Sequence, residues 1–404
     1  MFASIASGES SLSHLSTGKD VDSTRSVLQQ LGVKFREDTG QKLIVLSPGL
    51  NELQAPEGTL ETGNSGTTMR LMAGMLSGRP FRSTLTGDAS LRSRPMRRIT
   101  EPLTQMGAQI STAPDGTAPL TMEPAELHGI DYTPPVASAQ VKSAIILAGL
   151  QVTSGETIVR ENRLSRRHTE MMLRYLGAPV AVQENTVTVN PLSSSLAPFD
   201  LRVPGDPSSA AFWATAAAII PDSVCRIEDI HLSPERTAFF HALQSMGTSV
   251  EMNVRSEEME PRGDLVVRYR PLQGIELDEN SVPALIDELP LIAVAGMYAT
   301  GKTRVTGAEE LRYKECDRLD AVVKNVNTMG GSIKEMNDGF LIHGRSGPGP
   351  QGAGLDSFGD HRIAMAFAIA ALGASGPSEM SHPEVAAISY PEFWEVLNEL
   401  TSSP

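Results

Sequence analysis

Three short polar stretches in the second half of the chain carry the groups that acid–base chemistry needs: Asp287-Glu288, Lys314-Glu315 and Asp360-His361-Arg362. Carboxylate, ammonium and imidazole groups can move protons. Protonating carbon requires a carboxyl group whose pKa is tuned by burial and neighbours. Taken singly, each stretch reads first as a structural ion pair; together they form a set. Three arginine-rich segments stand beside them: Leu91–Arg98, which contains Arg92, Arg94, Arg97 and Arg98; Arg166-Arg167-His168; and Arg312–Arg318. A guanidinium grips phosphate or carboxylate with a planar two-pronged fork. Arg97, Arg98 and Arg167 fit solvated helix surface, whereas Arg94 directly precedes Pro95 at an expected helix start.

Five further polar segments recur along the chain. They are Gly63–Arg70, Ala137–Lys142, Pro204–Ser209, Leu285–Leu289 and Gly359–Arg362. Each leads into a small-residue helix rich in Ala, Leu and Met: Thr67–Leu76, Gln140–Leu150, Ser209–Ile220, Leu289–Ala299 and Arg362–Leu372. Helices apolar nearly all round are expected to be buried. At their N-termini, free backbone N–H groups and the helix dipole favour anions. Ordinary N-capping by Ser, Asp or Asn accounts for any one such segment. Five at one period add a second reading, in which related helices direct their N-termini at a shared cleft.

The period comes from a repeat. A helix-like stretch ending in Leu-Gly or Met-Gly, then a short alternating segment, closes at Gly32, Gly107, Gly177, Gly247 and Gly330. A sixth copy is due near residue 400, where a helical pattern ends at Leu400. Glycine after the last periodic residue is the expected helix C-cap. Each unit therefore contains two helices and several short strands. Two groups of three make an α/β protein of two similar domains, 1–202 and 203–404. By comparison with the other repeats, the first lacks a strand, a polar loop and the beginning of a helix, because only Met1–Ser7 precede Gly8.

Composition narrows the function classes. The 404 residues carry a net charge of −14, which disfavours a nucleic-acid partner. The two cysteines, Cys225 and Cys316, make neither a disulfide framework nor a four-cysteine metal site. Cys316 reads as a small interior residue rather than a nucleophile. Nothing has metal-ligand spacing. The longest apolar runs, Ala210–Ile220 and Leu289–Ala299, fall short of the roughly 18 residues a membrane span needs. No phosphate-binding G-x-x-x-x-G-K-[ST] loop, dinucleotide G-x-G-x-x-G or zinc H-E-x-x-H is present, and Gly301-Lys302-Thr303 reads as a turn. An acidic, reduced, cytoplasmic protein that needs no cofactor is the expectation. Its ligand would be a small, multiply anionic molecule.

The chain resembles the 5-enolpyruvylshikimate-3-phosphate synthases from about residue 1 to 400. The matching motifs are G-N-S-G-T-T-M-R (63–70), R-P-M (94–96), S-A-Q-V-K-S-A (138–144), P-G-D-P-S-S-A (204–210), I-D-E-L-P (286–290), L-R-Y-K-E-C-D-R-L (311–319) and D-H-R-I-A-M (360–365). Their combination and order are specific; D-H-R or R-P alone would mean little. The resemblance implies two domains of three β-α-β-α-β-β units each, the enolpyruvyl transferase inside-out barrel. It implies transfer of the enolpyruvyl group of phosphoenolpyruvate to the 5-hydroxyl of shikimate 3-phosphate, by addition and elimination, in the shikimate pathway to chorismate and aromatic amino acids. On that reading Ser138, Gln140 and Arg166 hold shikimate 3-phosphate, and Asp287 contacts its hydroxyls and acts as base. Lys314 also reaches the substrate, and Glu315 exchanges protons with the methylene carbon. Gly66, Arg94, Gln140, Arg318 and Arg362 bind phosphoenolpyruvate, and the inhibitor glyphosate would fit beside Gly66. A monomer without nucleic-acid or membrane partners is expected.

Members of that family begin with a strand and a loop containing Lys-Ser and a later Arg that bind both substrates. This chain starts beyond them, so an N-terminally truncated or non-catalytic ligand-binding relative is the alternative. A transferase acting on UDP-N-acetylglucosamine is less favoured, because it normally carries a Cys in the loop before its R-P motif and Gly87–Pro95 has none.

Overall fold

A computed structural model describes residues 1–38, 42–257, 259–344 and 349–402. The chain divides into two compact units, Met1–Val203 and Pro204–Pro404. Each has its own apolar core.

The first unit contains three four-stranded sheets of one design. In the second of them, Leu60–Glu61 runs parallel to Ser83–Thr86, which pairs antiparallel with Leu120–Glu123 and then Gln109–Ser111. In the third, Asp131–Tyr132 plays the part of Leu60–Glu61, followed across the sheet by Thr157–Arg160, Thr186–Val189 and Val180–Gln183. The first sheet has the same order but obtains its lead strand from elsewhere. Asp200–Arg202 lies parallel to Gly8–Ser13, with Ser11 opposite Asp200. The position expected to be missing from the first repeat is thus filled by the segment that closes the unit.

The second unit repeats the design with variations. Val224–His231, Arg262–Arg268 and Ser249–Ser256 form one sheet, with Gly205 bridged in parallel to Ile230 in place of a lead strand. Glu276–Leu277, Lys302–Val305, Gly339–His343 and Ser332–Met336 form a full four-stranded sheet. The last pairs Gly354–Asp356 with Glu379–Ser381 alone among the described residues. Among the described residues the sheets of a unit are separate ladders and do not close into a hydrogen-bonded barrel.

The small-residue helices lie inside, as their composition requires. Gly66–Leu76 and Ala139–Gly149 are buried along most of their length, as are Pro207–Ile219, Leu289–Tyr298 and His361–Leu372 in the second unit. Lys302, after the Gly301 turn, opens a strand. The five Leu/Met–Gly joints all take positive φ, from 74° at Gly177 to 105° at Gly247, where a side chain would be strained. The sixth helix, Phe393–Ser402, spans the place where the repeat predicts it.

Interior helices bring backbones very close. A Cβ at Gly74 would sit 2.2 Å from the carbonyl oxygen of Ala144 on the neighbouring buried helix. Gly74→Ala therefore must push the two helices apart, and a loss of about 2–4 kcal/mol is expected. Gly354, with nothing within 4 Å of its Cβ position, is the control. Gly354→Ala should stay within about 1 kcal/mol of the parent. Urea unfolding midpoints of the two variants check this.

Candidate active site

In the second unit the polar segments converge on Arg318. It is the first residue of the Arg318–Thr328 helix, and its side chain is only 2% exposed. Its Nε donates to Asp360 Oδ2 at 2.7 Å and its Nη2 to Glu315 Oε2 at 2.5 Å. Nη1 lies 3.4 Å from Asp287 Oδ1, and Lys314 Nζ donates to the same oxygen at 3.0 Å. Burial alone would lower the Arg318 pKa, but the carboxylates of Asp360, Glu315 and Asp287 outweigh it and hold the pKa above its ordinary value. The cation is permanent.

Arg362 makes the next layer. Its Nη1 donates to the Asp287 carbonyl oxygen and to Glu288 Oε1, both at 3.2 Å. Glu288 in turn accepts from Ser208 Oγ at 2.5 Å. Asp287, Glu288, Glu315 and Asp360 thus pair with Lys314, Arg318 and Arg362. An incoming anion must compete with these carboxylates for the cations.

The local sequence explains why the groups meet. Asp360, with no exposed surface, caps the His361–Leu372 helix by accepting from the N–H groups of Arg362 and Ile363. One carboxylate therefore both caps a helix and holds Arg318. Asp206 caps Pro207–Ile219 in the same way through Ser208 and Ser209. The fourth lead-in departs from the pattern. Glu288 precedes Leu289–Tyr298 but makes no side-chain cap, because its carboxylate is turned to Ser208 and Arg362.

Two of the reactive-looking groups are silenced by burial. Burial pushes the Cys316 thiol up, and the Asp360 carboxylate 3.8 Å away adds to the effect. Cys316 is therefore a poor nucleophile, as its sequence context suggests. His361 is 8% exposed and burial lowers its pKa to about 4, so it is a neutral imidazole at pH 7.

The first unit presents a second constellation. Ser65 and Ser138 cap the Gly66–Leu76 and Ala139–Gly149 helices through Thr68 N and Val141 N. Arg70 Nη1 donates to Gln140 Oε1 at 2.5 Å, and Gln140 Nε2 donates to Thr67 Oγ1 at 2.9 Å. The two lead-ins are thereby tied together. Arg94 is buried, and its Nη2 donates to Asn64 Oδ1 at 2.9 Å. A Cβ on Gly66 would stand 2.9 Å from Arg70 Nη1 and 3.4 Å from Arg94 Nη1, so Gly66 leaves room for both guanidinium groups. Arg166 lies in the half-buried loop between the Thr157–Arg160 strand and the His168–Tyr175 helix. Arg97 and Arg98 are exposed, as helix surface predicts.

Within each unit, then, the expected site residues cluster: Gly66, Arg94 and Gln140 in the first; Asp287, Lys314, Glu315, Arg318 and Arg362 in the second. Sequence reasoning gave no role to Arg70 and Asn64, and read Asp360 and Glu288 as ion-pair candidates without identifying their partners. Arg70 was detectable, since it lies four residues after Gly66 and so one helical turn along the same face.

This architecture, with buried helices inside separate small sheets, is that of the enolpyruvyl transferases. The enolpyruvyl transferase NikO from Streptomyces tendae superposes with a TM-score of 0.77 at 19% identity, over 99% of this chain and 91% of that one, a likeness of fold. Residues 1–397 match the family of EPSP synthase (3-phosphoshikimate 1-carboxyvinyltransferase), and the chain belongs to it. The 3-phosphoshikimate 1-carboxyvinyltransferase of Chloroflexus aurantiacus is 46% identical over 402 residues, covering 98% of this chain and 92% of the relative. That of Bacillus cytotoxicus is 44% identical, covering 99% and 94%. An EPSP synthase structure from Acinetobacter baumannii superposes with a TM-score of 0.86 at 39% identity, covering 99% of this chain and 91% of that one. As a member of the family the chain is a transferase of the shikimate pathway.

The neutral, buried His361 has a consequence for stability. The unfolded imidazole titrates near 6.5 and the folded one near 4, so the unfolded state binds more protons between those values. Stability is full above about pH 6.5 and falls as pH drops toward 4, by up to roughly 3 kcal/mol from this residue. His361→Gln should flatten that slope, read from unfolding midpoints at pH 7.5, 5.5 and 4.5.

Proposed function

We propose that this chain transfers the enolpyruvyl group of phosphoenolpyruvate to the 5-hydroxyl of shikimate 3-phosphate, with the residues above in the following roles. The observation that carries the reading is the convergence of Lys314, Asp287 and Glu315 on one buried, permanently charged Arg318. Two anionic substrates need fixed cations, and protonating carbon needs a positioned acid.

Ser138, Gln140 and Arg166 hold shikimate 3-phosphate, with Ser138 on its phosphate. Asp287 binds its hydroxyls and accepts the proton of the attacking 5-hydroxyl. Lys314, whose Nζ donates to Asp287 at 3.0 Å, reaches the same substrate. Arg94, Arg318 and Arg362 hold phosphoenolpyruvate, with Gln140 beside it and Gly66 in the wall. Glu315, which must enter this step in its protonated form, gives that proton to the methylene carbon as the 5-hydroxyl oxygen bonds to the adjacent carbon, forming a tetrahedral adduct. In the elimination Glu315 takes a proton back from the methyl group as the carbon–oxygen bond to phosphate breaks, and phosphate leaves with the proton that Asp287 took from the 5-hydroxyl. No cofactor or metal enters this scheme.

The net charge of −14 supports a small-molecule enzyme over a nucleic-acid binder. Among the described residues no helix is long and apolar enough to cross a membrane. The free thiols of Cys225 and Cys316 support a reducing, cytoplasmic setting, where we place it as a monomer.

Phosphate release by the 404-residue chain tests the reading, with both substrates supplied and each omitted in turn. Release is expected only when both are present. Its absence, with shikimate 3-phosphate still bound, would identify a non-catalytic relative instead. Glu315→Gln should lower kcat by about 10²–10⁴-fold, the usual contribution of a positioned acid–base group. Gly66→Ala displaces the end of Arg70 and brings a methyl group against that of Arg94, so it should raise the KM for phosphoenolpyruvate and weaken inhibition by glyphosate. Unchanged inhibition would show that Gly66 is not in the wall of that subsite.

A further inference from the structure

The first unit buries an ionic cluster that the scheme above does not use. Lys142, one turn into the Ala139–Gly149 helix, has no exposed surface. Its Nζ lies 2.7 Å from Glu161 Oε2 and 2.7 Å from Glu170 Oε1, and these carboxylates are 3% and 2% exposed. Removing three charged groups from water is costly, and apolar residues of similar volume would fill the space with less penalty. Stability alone is therefore a weak reason for the cluster.

Its connections supply a better one. Glu161 begins the loop 161–167 that carries Arg166. Its second oxygen, Oε1, accepts from Ser165 N at 3.2 Å and from Ser165 Oγ, so the carboxylate folds the loop back on itself immediately before Arg166. Its backbone N–H donates to Asn185 O in the next turn. Lys142 stands four residues after Ser138, and its own N–H donates to the Ser138 carbonyl. Glu170 lies in the first turn of the helix that follows the loop, and Ser143 and Thr169 hydroxyls meet 2.6 Å apart beside it. The chain of contacts thus runs from Ser138, through Lys142 and Glu161, to Ser165, the residue before Arg166.

We propose that the buried Lys142–Glu161 pair is a positioning element that sets Arg166 at the correct distance from Ser138 and Gln140, so that affinity for shikimate 3-phosphate depends on it. This rests on the reading that those three residues hold that substrate. Glu161 carries the link, because it alone of the two carboxylates grips the loop. Glu170 fills the far side of the ammonium. Burial pushes its carboxyl pKa up, in keeping with two carboxylates sharing one cation.

The test is a titration of the full chain with shikimate 3-phosphate alone, alongside KM for both substrates and kcat. Arg166→Ala should weaken shikimate 3-phosphate binding about tenfold or more, as loss of a charge-assisted contact does. Glu161→Gln should weaken it by a similar factor of about ten, leaving kcat and the KM for phosphoenolpyruvate within about twofold, the signature of lost substrate positioning rather than lost chemistry. Glu161→Asp keeps the charge and should restore binding to within about threefold. Glu170→Gln keeps the loop's link to Lys142 and should stay within about twofold.

If Arg166→Ala has no effect, the assignment of the substrate site is wrong. If Arg166→Ala weakens binding but Glu161→Gln does not, the positioning role is overturned. It is equally overturned if Glu161→Gln lowers the melting temperature and both affinities together, or if Glu170→Gln matches its loss. Should Glu161→Gln fail to fold, Ser165→Ala, which removes the hydroxyl that Glu161 holds, decides. A selective loss for shikimate 3-phosphate larger than that of Glu170→Gln supports the proposal, and binding no weaker than in Glu170→Gln overturns it.

Discussion

A helix placed inside a domain has to satisfy its first-turn N–H groups without help from bulk water. That constraint organises both units. Ser65, Ser138, Asp206 and Asp360 each stand at the N-terminus of an interior helix and accept from its first-turn backbone. Polar side chains are thereby brought to the ends of an otherwise apolar core. Once there, they are available to each other and to a ligand. Asp360 shows the step from cap to site, since the carboxylate that caps one helix also fixes the guanidinium that opens the next.

The two units solve the charge problem in different ways. In the second, four carboxylates surround three cations, and every cation has a partner before a substrate arrives. Such a cluster holds its geometry in advance, and preorganisation of this kind is what lets fixed charges act on a transition state without first reorganising. In the first unit, neutral groups take part in the holding: Gln140 and Asn64 accept from Arg70 and Arg94.

Much of this was legible in the sequence because the repeat is written in residues with narrow conformational uses. A glycine after the last turn of a helix marks a joint, and all five such glycines adopt the left-handed backbone that the pattern demands. Runs of Ala, Leu and Met flag the buried helices, and the Ser or Asp before them flags the cap. What stayed hidden are relations between distant segments. Arg70 and Gln140 are 70 residues apart, and Lys142 meets Glu161 and Glu170 across a strand and a loop. Glu288 stands at the N-terminal position of its helix, yet tertiary partners draw its carboxylate away. The lead strand of the first sheet was also invisible, since Asp200–Arg202 is three residues long and carries two charges.

That borrowed strand bears on how the protein is made. Ser11 through Ser13 cannot find their neighbours at Asp200 to Arg202 until nearly the whole first unit has been synthesised. Until then the edge of Gly8–Ser13 that Asp200–Arg202 comes to cover stays open to other partners. The unit therefore closes as a ring of three repeats rather than growing one repeat at a time. Pairing at such sequence separation favours slow, all-at-once consolidation.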